Sequence, residues 1–183
     1  MLMALHRFLL TILPAPVLAA EVERLRTVLN DRIGSFSGRN NPPHITLCFL
    51  DLPSELEPAV IEAIALGVSG QSGFDLQYQG VTHFPDKRTI YIDPVEKEAI
   101  ATVRAPIITA MRTKDALREV VRETEHPHLT IAAGLKPGQF EKAWEMLAQH
   151  ELHREERVKG LVLLKRVLKP GERYTQLRSF PFS

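Results

Sequence analysis

Two five-residue segments, one in each half of the chain, share one pattern: Pro43-His44-Ile45-Thr46-Leu47 and Pro127-His128-Leu129-Thr130-Ile131. The leading proline keeps the residue before it out of the helical region. The polar-apolar alternation that follows has the period of a half-buried strand. On a strand, residues i and i+2 share a face. His44 and Thr46 therefore project together, while Ile45 and Leu47 point the other way, into a core. His128, Thr130, Leu129 and Ile131 repeat the arrangement. A single His-x-Thr is a weak signal, since a chain of this length supplies one by chance about one time in five. Two copies with the same proline and the same apolar interleaving are far more constraining. They call for two similar strands, each with an imidazole and a hydroxyl on its polar face. A single duplication would set such strands about a pseudo-two-fold axis, and no solenoid period is present.

The remaining sequence supplies the frame. Strands are expected over 7–13, 44–50, 74–84, 89–92, 128–132, 158–168 and 174–182. Helices are expected over 16–34, after Ser54 as cap, over 96–111 and over 140–149. In the first helix Val17, Ala20, Val22, Leu25, Val28 and Leu29 recur at helical spacing; in the second, Val60, Ile61, Ile64 and Ala65 do. Several strands are joined by hairpin-length connections, among them a Pro-Asp-Lys-Arg turn, so those pairs are antiparallel. The fold class is α/β of the α+β kind, helices packed outside antiparallel sheets. The 183 residues suit one domain of two related halves, with 44% hydrophobic and 25% charged content in the ordinary globular range.

Residues 1–20, MLMALHRFLLTILPAPVLAA, have the outline of a secretory signal. Their basic part is only His6 and Arg7, and Pro14 and Pro16 break the apolar run, so a buried strand followed by a helix is the preferred reading. No run reaches the roughly 20 apolar residues needed to cross a bilayer, and no membrane association is expected. The single cysteine, Cys48, rules out an internal disulfide and favours a reducing, cytoplasmic setting. A formal net charge of +1 provides no broad basic face for duplex nucleic acid, yet is compatible with a local phosphate-binding cleft. A monomer is expected.

Two strands of this kind side by side would gather two imidazoles and two hydroxyls in one cleft. That set suits hydrolysis of a strained phosphodiester. One neutral histidine takes a proton from water, and one protonated histidine gives a proton to the leaving ribose oxygen. An unperturbed pKa near 6.5 supplies both forms near neutrality. Threonine hydroxyls and a nearby cation hydrogen-bond the phosphoryl oxygens where charge collects. The scheme needs no metal or other cofactor. His44, His83, His126 and His128 form neither a compact helical His pair nor a cysteine-supported zinc set, and no Gly-rich loop for a nucleoside triphosphate is present. A non-catalytic RNA-end or nucleotide-binding module is the competing reading. It would have no need of two proton-transfer groups.

On these motifs the chain resembles the 2H phosphoesterases, in particular the branch called RNA 2′,3′-cyclic phosphodiesterase or 2′-5′ RNA ligase. Arg7-Phe8-Leu9-Leu10 is similar to that family's first strand, and Gly80 to Pro85 with Ile90-Tyr91-Ile92 to its central hairpin. Leu161 to Phe182, with Pro170-Gly171 and Tyr174, is similar to its last hairpin. The resemblance implies a bilobal fold of two antiparallel-sheet lobes with a central cleft, and His44, Thr46, His128 and Thr130 as the catalytic set. His44 would be the acid toward the leaving oxygen and His128 the base toward water. It implies an RNA end or a small cyclic-phosphate nucleotide as substrate, opened by hydrolysis or, in reverse, joined by a 2′-5′ ligase. Many members carry an arginine three positions after the second threonine, where this chain has Ala133. Arg39, Arg88, Lys165 and Arg166 are the candidates to hold the phosphate instead, and Phe84 is the candidate to stack on a base. His83 reads as a loop residue, His150 and His153 as solvated surface, and Cys48 as a small buried hydrophobe.

Overall fold

The computed structural model describes residues 4–84 and 86–183. Pro85, first residue of the expected Pro-Asp-Lys-Arg turn, and residues 1–3, the start of the signal-like stretch, lie outside them. The first half runs β1 (Leu5–Ile12), α1 (Pro16–Ile33), β2 (Ile45–Pro53), a 3-10 turn at Ser54–Leu56 and α2 (Glu57–Val68). The second runs β3 (Phe74–Phe84), β4 (Thr89–Pro94), α3 (Lys97–Arg112), α4 (Asp115–Arg118), β5 (Arg122–Glu123), β6 (Leu129–Ala132), α5 (Pro137–Leu147) and β7 (His153–Val158). A hairpin of β8 (Gly160–Val167) and β9 (Thr175–Pro181) returns to the first half.

Among the described residues the strands form one curled, nine-stranded antiparallel sheet in the order β7-β3-β4-β6-β2-β1-β8-β9, with β5 added to β2. The expected two sheets are thus joined. Four strands lie on each side of the β2–β6 junction, whose one registered pair is Ile45 with Leu129. Both residues are fully buried. The next residues along each strand face the other way, so the two motifs present their polar side chains on the opposite face, back to back with the core.

The core is built from alternate residues of the central strands: Phe8, Leu10 and Ile12 of β1, Ile45, Leu47 and Leu50 of β2, Leu76 and Tyr78 of β3, Ile90 and Ile92 of β4. Each large side chain taken from water contributes about 1.5–3 kcal/mol. Helix α1 begins at Pro16, where the missing N–H is harmless. It buries Leu18, Val22, Leu25 and Leu29, at spacings of four, three and four. Val17 and Val28, placed on the apolar face by their spacing, are instead 71% and 41% exposed.

Two further expectations are corrected, and one strand was not expected. Ser54 opens the 3-10 turn and makes no side-chain cap to α2, which starts at Glu57. The strand expected over 158–168 is broken at Lys159 into β7 and β8. β7, His153-Arg-Glu-Glu-Arg-Val158, gives no strand signal because four consecutive charged residues replace the alternation. It lies at the sheet edge, where charged side chains discourage pairing with another chain.

The α2–α3 contact depends on one missing side chain. A Cβ on Gly67 would fall 2.4 Å from the Ile107 Cα and 2.7 Å from its backbone nitrogen. No rotamer change relieves a clash with backbone, so the two helices would have to separate. Gly67→Ala is expected to destabilise the protein by about 1–3 kcal/mol, lowering Tm by about 3–8 °C. An unchanged melting curve would show that the helices shift freely.

Candidate active site

The polar face over the β2–β6 junction carries a cleft of about 360 Å³ lined by Arg7, Leu9, Asn41, His44, Thr46, Phe49, Thr124, His128, Arg166 and Tyr174. Its walls depend on two equivalent irregularities. Leu10 pairs with Cys48 but Thr11 pairs with Thr46, so Leu47 is an extra residue in β2. Ile90 pairs with Ala132 but Tyr91 pairs with Thr130, so Ile131 is an extra residue in β6. A β-bulge thus directly follows each motif threonine. A bulge re-aims the side chains beyond it. Strict alternation from His44 and Thr46 would bring Cys48 to the cleft, whereas Phe49 arrives there and Cys48 is wholly buried. Burial pushes the Cys48 thiol up to about 12, which keeps it protonated.

The histidines are held alike. His44 Nδ1 is 2.6 Å from the Pro42 carbonyl and His128 Nδ1 is 2.6 Å from the His126 carbonyl, each two residues upstream. A carbonyl only accepts, so Nδ1 carries the proton in both rings. Among the described residues neither Nε2 makes a protein hydrogen bond, and in the neutral ring this nitrogen is the basic one. The His44 pKa is lowered, chiefly by burial, with Arg26 and His128 as lesser positive neighbours and the Pro42 carbonyl opposing them. The His128 pKa is also lowered, again chiefly by burial, with Lys87 and His126 adding to it and the His126 carbonyl and Asp93 opposing. Each ring has aromatic neighbours. His44 meets Tyr174 edge-on at 6.2 Å, and His128 meets Phe84 at 5.2 Å and Tyr91 at 5.1 Å.

The cationic wall belongs to β1 and β8, where Arg7 and Arg166 are cross-strand partners. Arg7 makes a two-pronged bridge to Asp51, at 2.7 and 2.6 Å, and lies over the Phe49 ring. These hydrogen bonds, opposed by burial, hold its pKa above the ordinary value. Arg166 lies 4.8 Å over the Tyr174 ring, and its Nε is buried with no hydrogen-bond partner. Among the described residues it has no carboxylate partner, so it is the cleft's uncompensated guanidinium.

Of the residues singled out in the sequence, the cleft therefore gathers His44, Thr46, His128 and Arg166. Thr130 lies in β6, two residues beyond His128, but is not part of the lining. Arg39 is turned to Glu23 at 2.9 Å and to the Thr27 hydroxyl, and lines a neighbouring groove. Arg88 has a left-handed backbone, φ 44°, and gives its Nε to the Leu135 carbonyl, pinning the β3–β4 turn rather than facing the cleft. Lys165 pairs with Glu57 at 2.6 Å. Phe84 stacks on Tyr91 at 4.3 Å, beside His128 rather than in the cleft lining. His83 belongs to β3, not a loop, with its ring against Phe140 and Trp144 of α5. His150 is not simply solvated but lies 3.2 Å from the half-buried Glu21. The sequence reading missed Arg7 and Tyr174 as cleft residues. The signal for Arg7 was present, since it shares strand parity with Leu9 and Thr11. Among the described residues no three His, Cys, Asp or Glu side chains are grouped to hold a metal ion, and no helix is long and apolar enough to cross a membrane.

The curled antiparallel sheet with outer helices is consistent with the 2H phosphoesterase superfamily fold. Solved structures share it along nearly the whole chain. TT0787 of Thermus thermophilus is 19% identical, with 96% of this chain and 97% of that one covered and a TM-score of 0.72. E. coli LigT in apo form is 18% identical over 98% and 99%, with a TM-score of 0.65. The MHV ns2 PDE domain is 16% identical over 87% and 99%, with a TM-score of 0.57. No curated protein matches by sequence. The family model of the 2′-5′ RNA ligase superfamily matches residues 14–170, and the chain belongs to that family. Membership supports phosphodiester chemistry of the LigT type at the level of the family.

Proposed function

We propose that the protein is a metal-independent cyclic phosphodiesterase, acting on 2′,3′-cyclic phosphates of RNA ends or nucleotides through His44 and His128. The observation that carries this reading is the matched pair of imidazoles, each tethered through Nδ1 and each left with a free Nε2 at one cleft. In the reaction, one neutral Nε2 removes a proton from water as its oxygen bonds to phosphorus. The other ring, as imidazolium, protonates the ribose oxygen as its bond to phosphorus breaks. The product is a 2′- or 3′-phosphate with one free ribose hydroxyl. The family's usual roles make His44 the acid and His128 the base. Thr46 and Arg166 would hold the phosphoryl oxygens, with the Phe84–Tyr91 stack beside His128 for a base. Four strands on each side of the junction, with a bulge after each motif threonine, support one domain of two duplicated halves.

E. coli LigT has been solved with phosphate and with 3′-AMP, and acceptance of such ligands by the same fold supports a nucleotide or RNA end as substrate. The family's name favours a second reading, in which a 5′-hydroxyl replaces water and a 2′-5′ bond forms by the same proton transfers. The deciding experiment is hydrolysis of the four 2′,3′-cyclic nucleoside monophosphates in excess chelator. Turnover is expected; dependence on added metal, or no turnover of these or of cyclic-phosphate RNA ends, would overturn the proposal.

The pH profile has a defined sign. Both histidines are lowered in the free protein, so the bell of kcat/KM is expected to centre below the ordinary histidine value of about 6.5. A bound phosphodiester anion stabilises both imidazoliums, so the bell of kcat should lie at higher pH. Coincident profiles, or the reverse order, would contradict this electrostatic account.

A further inference from the structure

We infer that Arg26, a buried arginine of α1 far from either motif in sequence, is a positioning residue that clasps the two histidine segments together. The inference rests on the proposed roles of His44 and His128. The Arg26 guanidinium bridges the His128 segment and Asn41, two residues ahead of the Pro43-His44 segment. Its Nε donates to the Ile131 carbonyl at 3.1 Å and its Nη2 to the Thr130 carbonyl at 2.8 Å. Its Nη1 donates to the Asn41 carbonyl at 2.6 Å and to Glu23 at 2.8 Å. Only 2% of the residue is exposed.

These partners have a structural reason. A bulge interrupts the sheet ladder and leaves backbone groups without strand partners, and buried carbonyls require a donor. At the first bulge the Leu47 carbonyl accepts from the Thr124 backbone N–H. At the second, the Ile131 carbonyl accepts from the Arg26 side chain. The same guanidinium reaches the Asn41 carbonyl, next to Pro42, whose own carbonyl orients the His44 ring. One rigid fork therefore ties β6, which follows His128, to the approach of His44. Lysine, with a single point of charge, cannot reproduce that geometry. Glu23 compensates the buried charge and also receives Arg39, which gives Arg39 a place in the same network.

The clasp has an electrostatic side. The groups facing His44 are Arg26 from α1, with Glu23 behind it, Arg7 from β1, His128 ahead of β6, Arg166 from β8 and Tyr174 between β8 and β9. Arg26 is the cation fixed on the protein side of this set, and it favours the neutral form of His44 over the imidazolium.

The test compares Arg26→Met and Arg26→Lys in the full chain, with melting curves to verify folding. Ring titrations are followed by NMR without substrate, alongside cyclic-nucleotide turnover. In Arg26→Met the His44 midpoint is expected to rise, because a positive neighbour is removed, with a smaller change at His128. In Arg26→Lys the charge is kept and the fork lost. Backbone resonances of residues 41–46 and 129–132 are then expected to shift together, and kcat to fall about tenfold or more with KM little changed. Unmoved titrations in a folded Arg26→Met, or shifts confined to one segment in Arg26→Lys, overturn the inference. If Arg26→Met does not fold, Arg26→Lys decides alone. The NMR readings need no activity, so they stand even if the cyclic-phosphodiesterase reading fails.

Discussion

Replacing His44 or His128 by alanine is expected to lower kcat for cyclic-phosphate opening by about 10³-fold, and the double substitution by little more. The two rings act in one step, one taking a proton as the other gives one, so either loss alone removes the concerted transfer. Groups that act as a unit are not additive in this way. Substrate affinity should change little, because the hydroxyls and Arg166 remain. Folding should also survive. Each ring bonds only a local carbonyl, whereas the apolar neighbours Ile45 and Leu129 supply the buried contact. Each single variant should lose one limb of the pH bell, and the limb lost assigns acid and base. Turnover by the double variant at the native rate would show that these two histidines do not carry the proton transfers.

Arg166→Met is expected to lower kcat/KM by about 10²–10³-fold while leaving the melting temperature unchanged or slightly raised. Arg166 and Arg7 face each other across β1 and β8, and like charges placed so are destabilising. Arg7 is neutralised by Asp51, and Arg166 has the uncompensated charge. Removing Arg166 relieves repulsion in the empty cleft and takes away the counter-charge of a bound phosphate. Loss of function without loss of stability distinguishes a residue that serves the substrate from one that serves the fold. Arg166→Lys should recover only part of the rate, because an ammonium lacks the planar fork and its seat on Tyr174. Arg7→Met is the contrast, expected to lower Tm through the broken Asp51 bridge. Native kcat/KM in Arg166→Met would transfer the phosphate to Arg7.

The catalytic candidates were legible because they depend on local chain geometry. Proline before histidine, and alternation of His-Ile-Thr-Leu and His-Leu-Thr-Ile, specify an extended strand with both polar groups on one face, whatever surrounds it. The helix beginning at Pro16 and the hairpins joining β3 to β4 and β8 to β9 were likewise readable from proline placement and turn residues. Family resemblance added the expectation of a cleft shared by both motifs, though not the single joined sheet.

The rest was decided by partners distant in sequence. Alternation carries no sign of a bulge, because an extra residue exists only relative to the neighbouring strand. Hence Phe49 rather than Cys48 enters the cleft. Four cations were equivalent in the sequence; Glu23, Leu135 and Glu57 claim Arg39, Arg88 and Lys165, and only Arg166 is left facing the site. Arg26 gave no motif at all, since its role is to satisfy carbonyls that the fold itself leaves unpaired. The shared face of each His-Thr pair and the start of the helix at Pro16 follow from interactions within a few residues, so the sequence alone determined them. Which charges are neutralised, and which backbone groups need a donor, depends on what the folded chain brings together, so only the tertiary structure decided them.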